Sequence, residues 1–253
     1  MTLRWSTLAC WMVFFLPLPG PASAEVVSSL FNGQDLTGWQ TVDGKPIQDG
    51  WEVVDGEIHL RSDRGSVGHI VTTRQFCNFD LQFEWKITAG TNSGVKYRVR
   101  NFAGRVLGCE FQILDDAMYP EIDPKHSTGS LYDMYRPARS KPLHPAGQYN
   151  HARILVCGSH IEHWLNGRRL LTARVGGCRW RQQKANSKFS DVSGFGDVGP
   201  GRIMLTDHNS EVWYKNLTLR PLTTHPGHLL STSGHPFRRL GLSRTRFLFR
   251  RCR

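Results

Sequence analysis

The sequence lacks an apolar run long enough to cross a bilayer. Its stretch from Leu8 to Leu16 is about nine residues, where a spanning helix needs about 20. It has no glycine-rich phosphate loop, no Gly-x-Ser-x-Gly elbow and no Cys/His nucleophile pattern, so the usual marks of nucleotide-dependent and covalent hydrolytic chemistry are missing. No Cys-x-x-Cys zinc spacing occurs. No segment keeps a 3.6-residue apolar period, which excludes a helical bundle. Acids are missing from residues 223–253, which hold seven Arg. The formal net charge of +11 therefore belongs mostly to that tail. With Arg4 also set aside, residues 25–222 carry only +3. A domain so close to neutral argues against a nucleic-acid partner.

What is present begins with an export pattern. Arg4 is the only charge before Glu25, Pro17, Pro19 and Pro21 follow the apolar stretch, and Ala22-Ser23-Ala24 fits a small-residue cleavage site. Residues 1–24 are expected to be a signal peptide, giving a secreted or periplasmic protein whose mature chain has no stable membrane insertion. An uncleaved anchor is the alternative. The tail, 223–253, reads as basic and poorly ordered; a membrane- or nucleic-acid-binding arm is the weaker reading. Between them lies one domain, 25–222, large enough for a good core. Of six cysteines, Cys77, Cys109, Cys157 and Cys178 fall in the domain. They allow three pairings, and free buried thiols remain an equal alternative.

The domain is written in short strands. Asp55-Gly56 between Val53-Val54 and Ile58-His59-Leu60 signals a tight hairpin, as does Asn166-Gly167. Phe79, Leu81, Phe83, Trp85 and Ile87 alternate with Asp80, Gln82, Glu84 and Lys86, a half-buried strand. Val95, Tyr97 and Val99 are expected inward, with Lys96, Arg98 and Arg100 outward. Glu110-Phe111-Gln112-Ile113-Leu114 continues the alternation. Ile203 to Thr206 and Val212 to Leu219 supply closing strands. This predicts an all-β, antiparallel two-sheet sandwich. Trp39, Trp51, Phe83 and Trp85 are expected in its core. Two long polar connections, 115–149 and 176–200, could carry function or be plain surface.

Glu84, Lys96, Arg98, Glu110, Gln112, Thr206 and His208 are expected on one polar face if their strands are neighbours. Carboxylates, amides and Arg suit sugar hydroxyls. The competing reading is a set of cross-strand ion pairs worth little. His208, in Asp207-His208-Asn209, suits acid–base work near neutral pH but could equally belong to a turn. Asp115-Asp116 with Asp123 and His126 is where a hard divalent cation would bind, although the spacing matches no EF-hand or zinc motif. No cofactor is certain.

Several stretches, in order, resemble one family. They are Leu30 to Trp39, Trp51 to Ile58, Phe79 to Trp85, Thr91 to Val95 with Arg98, Glu110 to Asp115, Thr128 to Tyr132, Gly147 to Asn150, His163 to Gly167 and Gly201 to Leu222. Together they resemble the 3-keto-disaccharide hydrolase domain over almost all of 30–222. Thr206 stands where that family often has Gln, and Asn209 where Gly follows the His. The resemblance implies a concanavalin A-like jelly roll and a carbohydrate partner, a glycoside oxidised at C3. It implies hydrolase or lyase chemistry: loss of the C2 proton, then of the C1 substituent. Glu110, His208 and Arg98 are the expected catalytic residues, with Arg98 polarising the ketone. Gln112, Asn92, Tyr132, Asp115 and Lys96 are the expected substrate-binding residues. Arg98, Glu110, Gln112 and His208 should converge on one open face of the larger sheet, with Tyr132 reaching in from the long loop. A non-catalytic, lectin-like sugar-binding module would use the same face, and a structural surface protein would leave it merely solvated.

Overall fold

The computed structural model describes residues 27–222. The expected signal peptide and basic tail lie outside them. In chain order the strands are β1 (Ser28–Ser29), β2 (Trp39–Thr41), β3 (Trp51–Val54), β4 (Glu57–Leu60), β5 (Ile70–Thr72), β6 (Phe79–Ile87), β7 (Asn92–Phe102), β8 (Arg105–Leu114), β9 (Asn150–Cys157), β10 (His160–Leu165), β11 (Arg168–Arg174), β12 (Arg202–Leu205) and β13 (Val212–Pro221). One short helix, α1 (Cys178–Ala185), precedes β12.

Thirteen strands form two antiparallel sheets. The larger runs β11-β10-β9-β6-β13-β4-β3, with β1 also on β13; the smaller runs β2-β5-β12-β7-β8. This is the antiparallel two-sheet sandwich that the alternation predicts, and the concanavalin A-like jelly roll that the resemblance implies. The hairpins are tight because Asp55-Gly56 and Asn166-Gly167 all take positive φ, between 45° and 78°, the twist that two-residue turns need. The β6 side chains Phe79, Leu81, Phe83 and Trp85 are buried between the sheets, as are Trp39 and Trp51. Trp39 and Trp51 each donate their indole N–H to a backbone carbonyl at 2.8 Å, those of Leu30 and Gly68. Burial of such rings dominates a core of this kind. The four domain cysteines are free thiols.

The period-two expectation fails on β7. The β7–β8 register shifts between Tyr97 and Arg100, and Arg98 takes φ 53°. This is a bulge, where an extra residue breaks alternation. Beyond it Val99 packs with Val71 and Met204 in a small cluster of its own, apart from the main core, so the inward expectation for Val99 is corrected. Close approach of the 201 backbone enforces the shape: a Cβ on Gly201 would press on the Arg98 backbone at 2.5 Å.

Candidate active site

The β7–β8 ladder sets the site. Lys96 pairs with Glu110 and Gly94 with Gln112. Val95, Tyr97, Cys109, Phe111 and Ile113 are buried at 0–1 % exposure in the core, so Lys96, Glu110 and Gln112 face the other way. That face belongs to the smaller sheet, not the larger one as expected. Gly94 has no side chain there, and an added Cβ would overlap the Glu110 carboxylate. The carboxyl group therefore lies flat over Gly94, only 5 % exposed. Lys96 Nζ stands 3.8 Å from Glu110 Oε2. Burial raises the Glu110 pKa, opposed by the positive charges of Lys96 and Lys188. Gln112 Nε2 donates to Asn92 Oδ1 at 2.7 Å, which fixes both amides beside it. Thr206, at the end of β12, donates its backbone N–H and hydroxyl to the Gly94 carbonyl at 3.0 and 3.2 Å and so braces the same position.

Two long connections bury this face. The Tyr132 N–H donates to the Glu110 carbonyl at 3.0 Å, bringing its ring to the carboxylate. His126 packs on that ring at 4.8 Å between centroids, and Lys188 Nζ lies 4.1 Å from its centre. Asp133 joins the connections: its carboxylate meets His126 Nε2 at 2.8 Å and accepts the Lys188 backbone N–H at 2.6 Å. Burial lowers the Lys188 pKa and raises that of Tyr132. Glu110 and Lys188 are thus both pushed toward their neutral forms, as desolvation requires.

The third wall carries two imidazoles. Asp207 is buried and accepts from Ser66 Oγ, Val67 N and Gly68 N at 3.2, 2.7 and 2.8 Å, and from Asn209 N at 2.8 Å. The turn anticipated around His208 is therefore closed by Asp207 and Asn209, with His208 between them and its side chain at the surface. Partial desolvation, then the Lys96 charge, lowers the His208 pKa. His69 meets the His208 ring edge-on at 5.8 Å. Its Nδ1 accepts the Asp207 backbone N–H at 3.0 Å. An amide N–H can only donate, so Nδ1 is bare and the proton sits on Nε2. Burial and then Lys96 push the His69 pKa down to about 4, which keeps that tautomer neutral.

The structure therefore brings Glu110, Lys96, Gln112, Asn92, Tyr132 and His208 together, and adds Lys188 and His69. It does not bring Arg98. That side chain leaves the bulge on the opposite side, where its guanidinium donates to the Gly196 carbonyl at 3.1 Å and to the Gly158 carbonyl. Gly158 is in the β9–β10 turn of the other sheet, so Arg98 ties the sheets together and its expected role on the ketone is corrected. Asp115 accepts from Gly90 N at 2.9 Å and anchors the turn before β7. Glu84 lies on β6 in the larger sheet and accepts from Asn216 at 2.8 Å, apart from this face. The anticipated cation ligands are dispersed: Asp116 pairs with Lys141, Asp123 caps Lys125 N at 2.9 Å and His126 holds Asp133. No group of three or more His, Cys, Asp or Glu arranged for a metal occurs among the described residues.

A desolvated carboxyl group beside two lysines and two uncharged imidazoles can accept, hold and return a proton. On a sandwich of this type such an arrangement suits acid–base chemistry. Comparison with known proteins narrows it. The model of the 3-keto-alpha-glucoside-1,2-lyase-like domain matches residues 27–220, and the chain belongs to that family. The 3-keto-disaccharide hydrolase of Bacteroides thetaiotaomicron is 26 % identical over 234 residues, covering 80 % of each chain. A solved structure from Parabacteroides distasonis, assigned as a glycosyl hydrolase, is 30 % identical with a TM-score of 0.71, covering 82 % of this chain and 99 % of that one. A second from the same organism, 24 % identical with a TM-score of 0.61, shares the fold over 78 % of this chain. The family and these relatives place the chain with hydrolases of the glycoside type.

Proposed function

We propose that the protein cleaves glycosides whose sugar has been oxidised to the ketone at C3. The observation that carries this is the Glu110 carboxyl group, buried over Gly94 with its pKa raised. A ketone at C3 acidifies the C2 proton, and a carboxylate whose pKa is raised by burial is a stronger base for it than a solvated one. Glu110 takes the C2 proton, and the electron pair passes through the enolate to expel the oxygen at C1. The leaving oxygen collects a proton from an acid; His208, exposed and uncharged, is positioned to relay one from solvent. The enone that remains can depart, a lyase outcome. Alternatively, water adds at C1 while Glu110 returns its proton to C2, a net hydrolysis. Lys96, Lys188 and the Nε2–H of His69 offer positive charge and a donor to the enolate oxygen, with no reorganisation needed. The Gln112–Asn92 pair suits the remaining hydroxyls.

A lectin-like module would use the same amides and rings. It has no need of a carboxyl group held in an environment that disfavours its ionised form, and this supports the enzyme reading over the module. The test is to incubate the purified protein with a 3-keto-disaccharide and with its unoxidised parent. Cleavage of the oxidised sugar alone is expected. Tight binding of both sugars without cleavage of either would establish the binding module instead.

A further inference from the structure

The near-neutral total of the domain conceals a segregation of charge. From Arg136 to Ser190 there are eleven Lys and Arg and a single acid, Glu162, a net +10. Because residues 25–222 carry +3 in all, the rest of the domain carries −7. The fold concentrates this segment further. Three depressions of about 280, 230 and 310 Å³ adjoin along the 136–141 loop, the edge strand β11 and the start of α1. The first two share Arg136, Pro137 and Ala138, and the last two share Tyr135, Thr172 and Arg179, so they form one groove. Arg136, Arg139, Arg174 and Arg179 line it and are all exposed. Among the described residues, the side chains of Arg136, Arg139 and Arg174 make no hydrogen bond or ion pair, and the Arg179 side chain has the Tyr135 ring, 5.3 Å away. The one acid on the groove wall, Asp116, is already taken by Lys141.

Four exposed guanidinium groups along one groove, unneutralised by their own protein, set up a positive potential that favours an anion. We propose that this groove binds an acidic glycan through its uronate carboxylates, each held by the two-pronged face of a guanidinium. Two observations favour a glycan over a nucleic acid. Single strands are held by successive bases stacking on exposed rings, and of the tyrosine and tryptophan rings that line this groove Tyr135 and Trp180 are buried at 5 % and 3 % exposure, which leaves Tyr119, at one end of it, as a single exposed ring at 41 %. The chain also belongs to a family that acts on glycosides. The groove is separate from the Glu110 face but joined to it by one turn: Tyr132 borders the carboxylate, and Tyr135 begins the groove. Binding there does not depend on the reaction proposed above, and it is read without turnover.

The full-length protein is titrated calorimetrically with a hexamer of galacturonate, with a neutral glucose hexamer and with single-stranded DNA, at several salt concentrations. The combined variant Arg136→Gln, Arg139→Gln, Arg174→Gln, Arg179→Gln is compared with a charge-matched variant of the tail, Arg238→Gln, Arg239→Gln, Arg244→Gln, Arg246→Gln. The expected result is salt-sensitive binding of the galacturonate hexamer, weakened tenfold or more in the groove variant and retained in the tail variant, with unchanged thermal unfolding. The double variant Arg136→Gln, Arg139→Gln should show a smaller loss in the same direction, which guards against misfolding of the fourfold one. Loss in the tail variant alone would overturn the proposal. So would groove-dependent binding of the neutral hexamer at equal strength, or of DNA more tightly than galacturonate.

Discussion

Both sheets turn charged side chains away from the core, and the two outer faces treat them differently. On the larger sheet the carboxylates are matched. Asp80 receives Arg153 at 2.7 and 2.9 Å and Arg220 at 3.1 Å. His59 bridges Glu52 and Glu211 at 3.0 Å each, and Glu162 receives His160, Trp164 and Arg169. On the smaller sheet the one ion pair of Glu110 among the described residues is the long contact with Lys96, at 3.8 Å, with Lys188 a second, more distant charge, and Glu110 is covered by the 115–149 and 176–200 connections. Asp80 and Glu110 are about equally buried, at 4 % and 5 %, yet their pKa values move in opposite directions. Burial raises Asp80 too, but Arg153 and Arg220 outweigh it and the net shift is downward. For Glu110 the burial wins. Burial alone therefore does not mark a functional carboxyl group; burial without sufficient pairing does.

The largest way to break this comparison is Glu110→Gln. If Glu110 is the base, turnover of a 3-keto-disaccharide should fall by roughly 10²–10⁴-fold, because only proton-transfer capacity is removed. Undiminished turnover would move the role to His208. Asp80→Asn should leave turnover within a small factor.

The second test compares stabilities, and its sign differs between the faces. A raised carboxyl pKa means that Glu110 favours folding only while protonated, and that contribution is lost as pH rises from 4.5 through the raised value. Glu110→Gln should therefore be at least as stable as the parent at neutral pH, with the difference shrinking in acid. Asp80 is depressed below 3.8, so its contribution is present above that value and is lost as pH falls through the lower folded value. Asp80→Asn, which leaves two guanidinium groups short of a partner, should cost about 1–3 kcal/mol at neutral pH, closing in acid. Denaturant unfolding followed from pH 7 down to about pH 2 reads both. Equal signs for the two variants would dissolve the comparison.

The sequence made the frame legible and half of the site. Hairpins at Asp55-Gly56 and Asn166-Gly167, the buried aromatics of β6, and the outward set Lys96, Glu110 and Gln112 all follow from local turn chemistry and period-two alternation. Alternation misled at Arg98, because a bulge inserts a residue that no periodic pattern announces. Helix α1 was missed for want of a signal: it is eight residues long with one buried side chain, Trp180. Lys188 and His69 reach the site from loops distant in sequence from Glu110, and alternation says nothing about such arrivals. For His69 a faint signal existed, since period two carries it to the same side of β5 as Val71. That signal was masked because Ile70, Val71 and Thr72 are all buried. The bare Nδ1 that makes His69 useful depends on the Asp207 N–H, a partner 138 residues away.

The smallest test separates distance from burial. Arg105 and Asp191 form a contact of 2.8 Å, as short as the 2.7 Å between Arg153 and Asp80. Judged by distance, the two pairs should matter equally. Their surroundings differ: the Arg105 and Asp191 side chains are 48 % and 68 % exposed, whereas Asp80 is 3 % exposed. Water solvates the exposed charges almost as well once they part, and salt screens them further. Asp191→Asn should therefore change stability by about 0–1 kcal/mol at low ionic strength, less again at high salt, and well below the cost of Asp80→Asn. The same denaturant series at two salt concentrations measures it. A loss as large as that for Asp80→Asn would mean that pair distance governs the outer faces, and the argument that assigns Glu110 its role from poor pairing under burial would lose its basis.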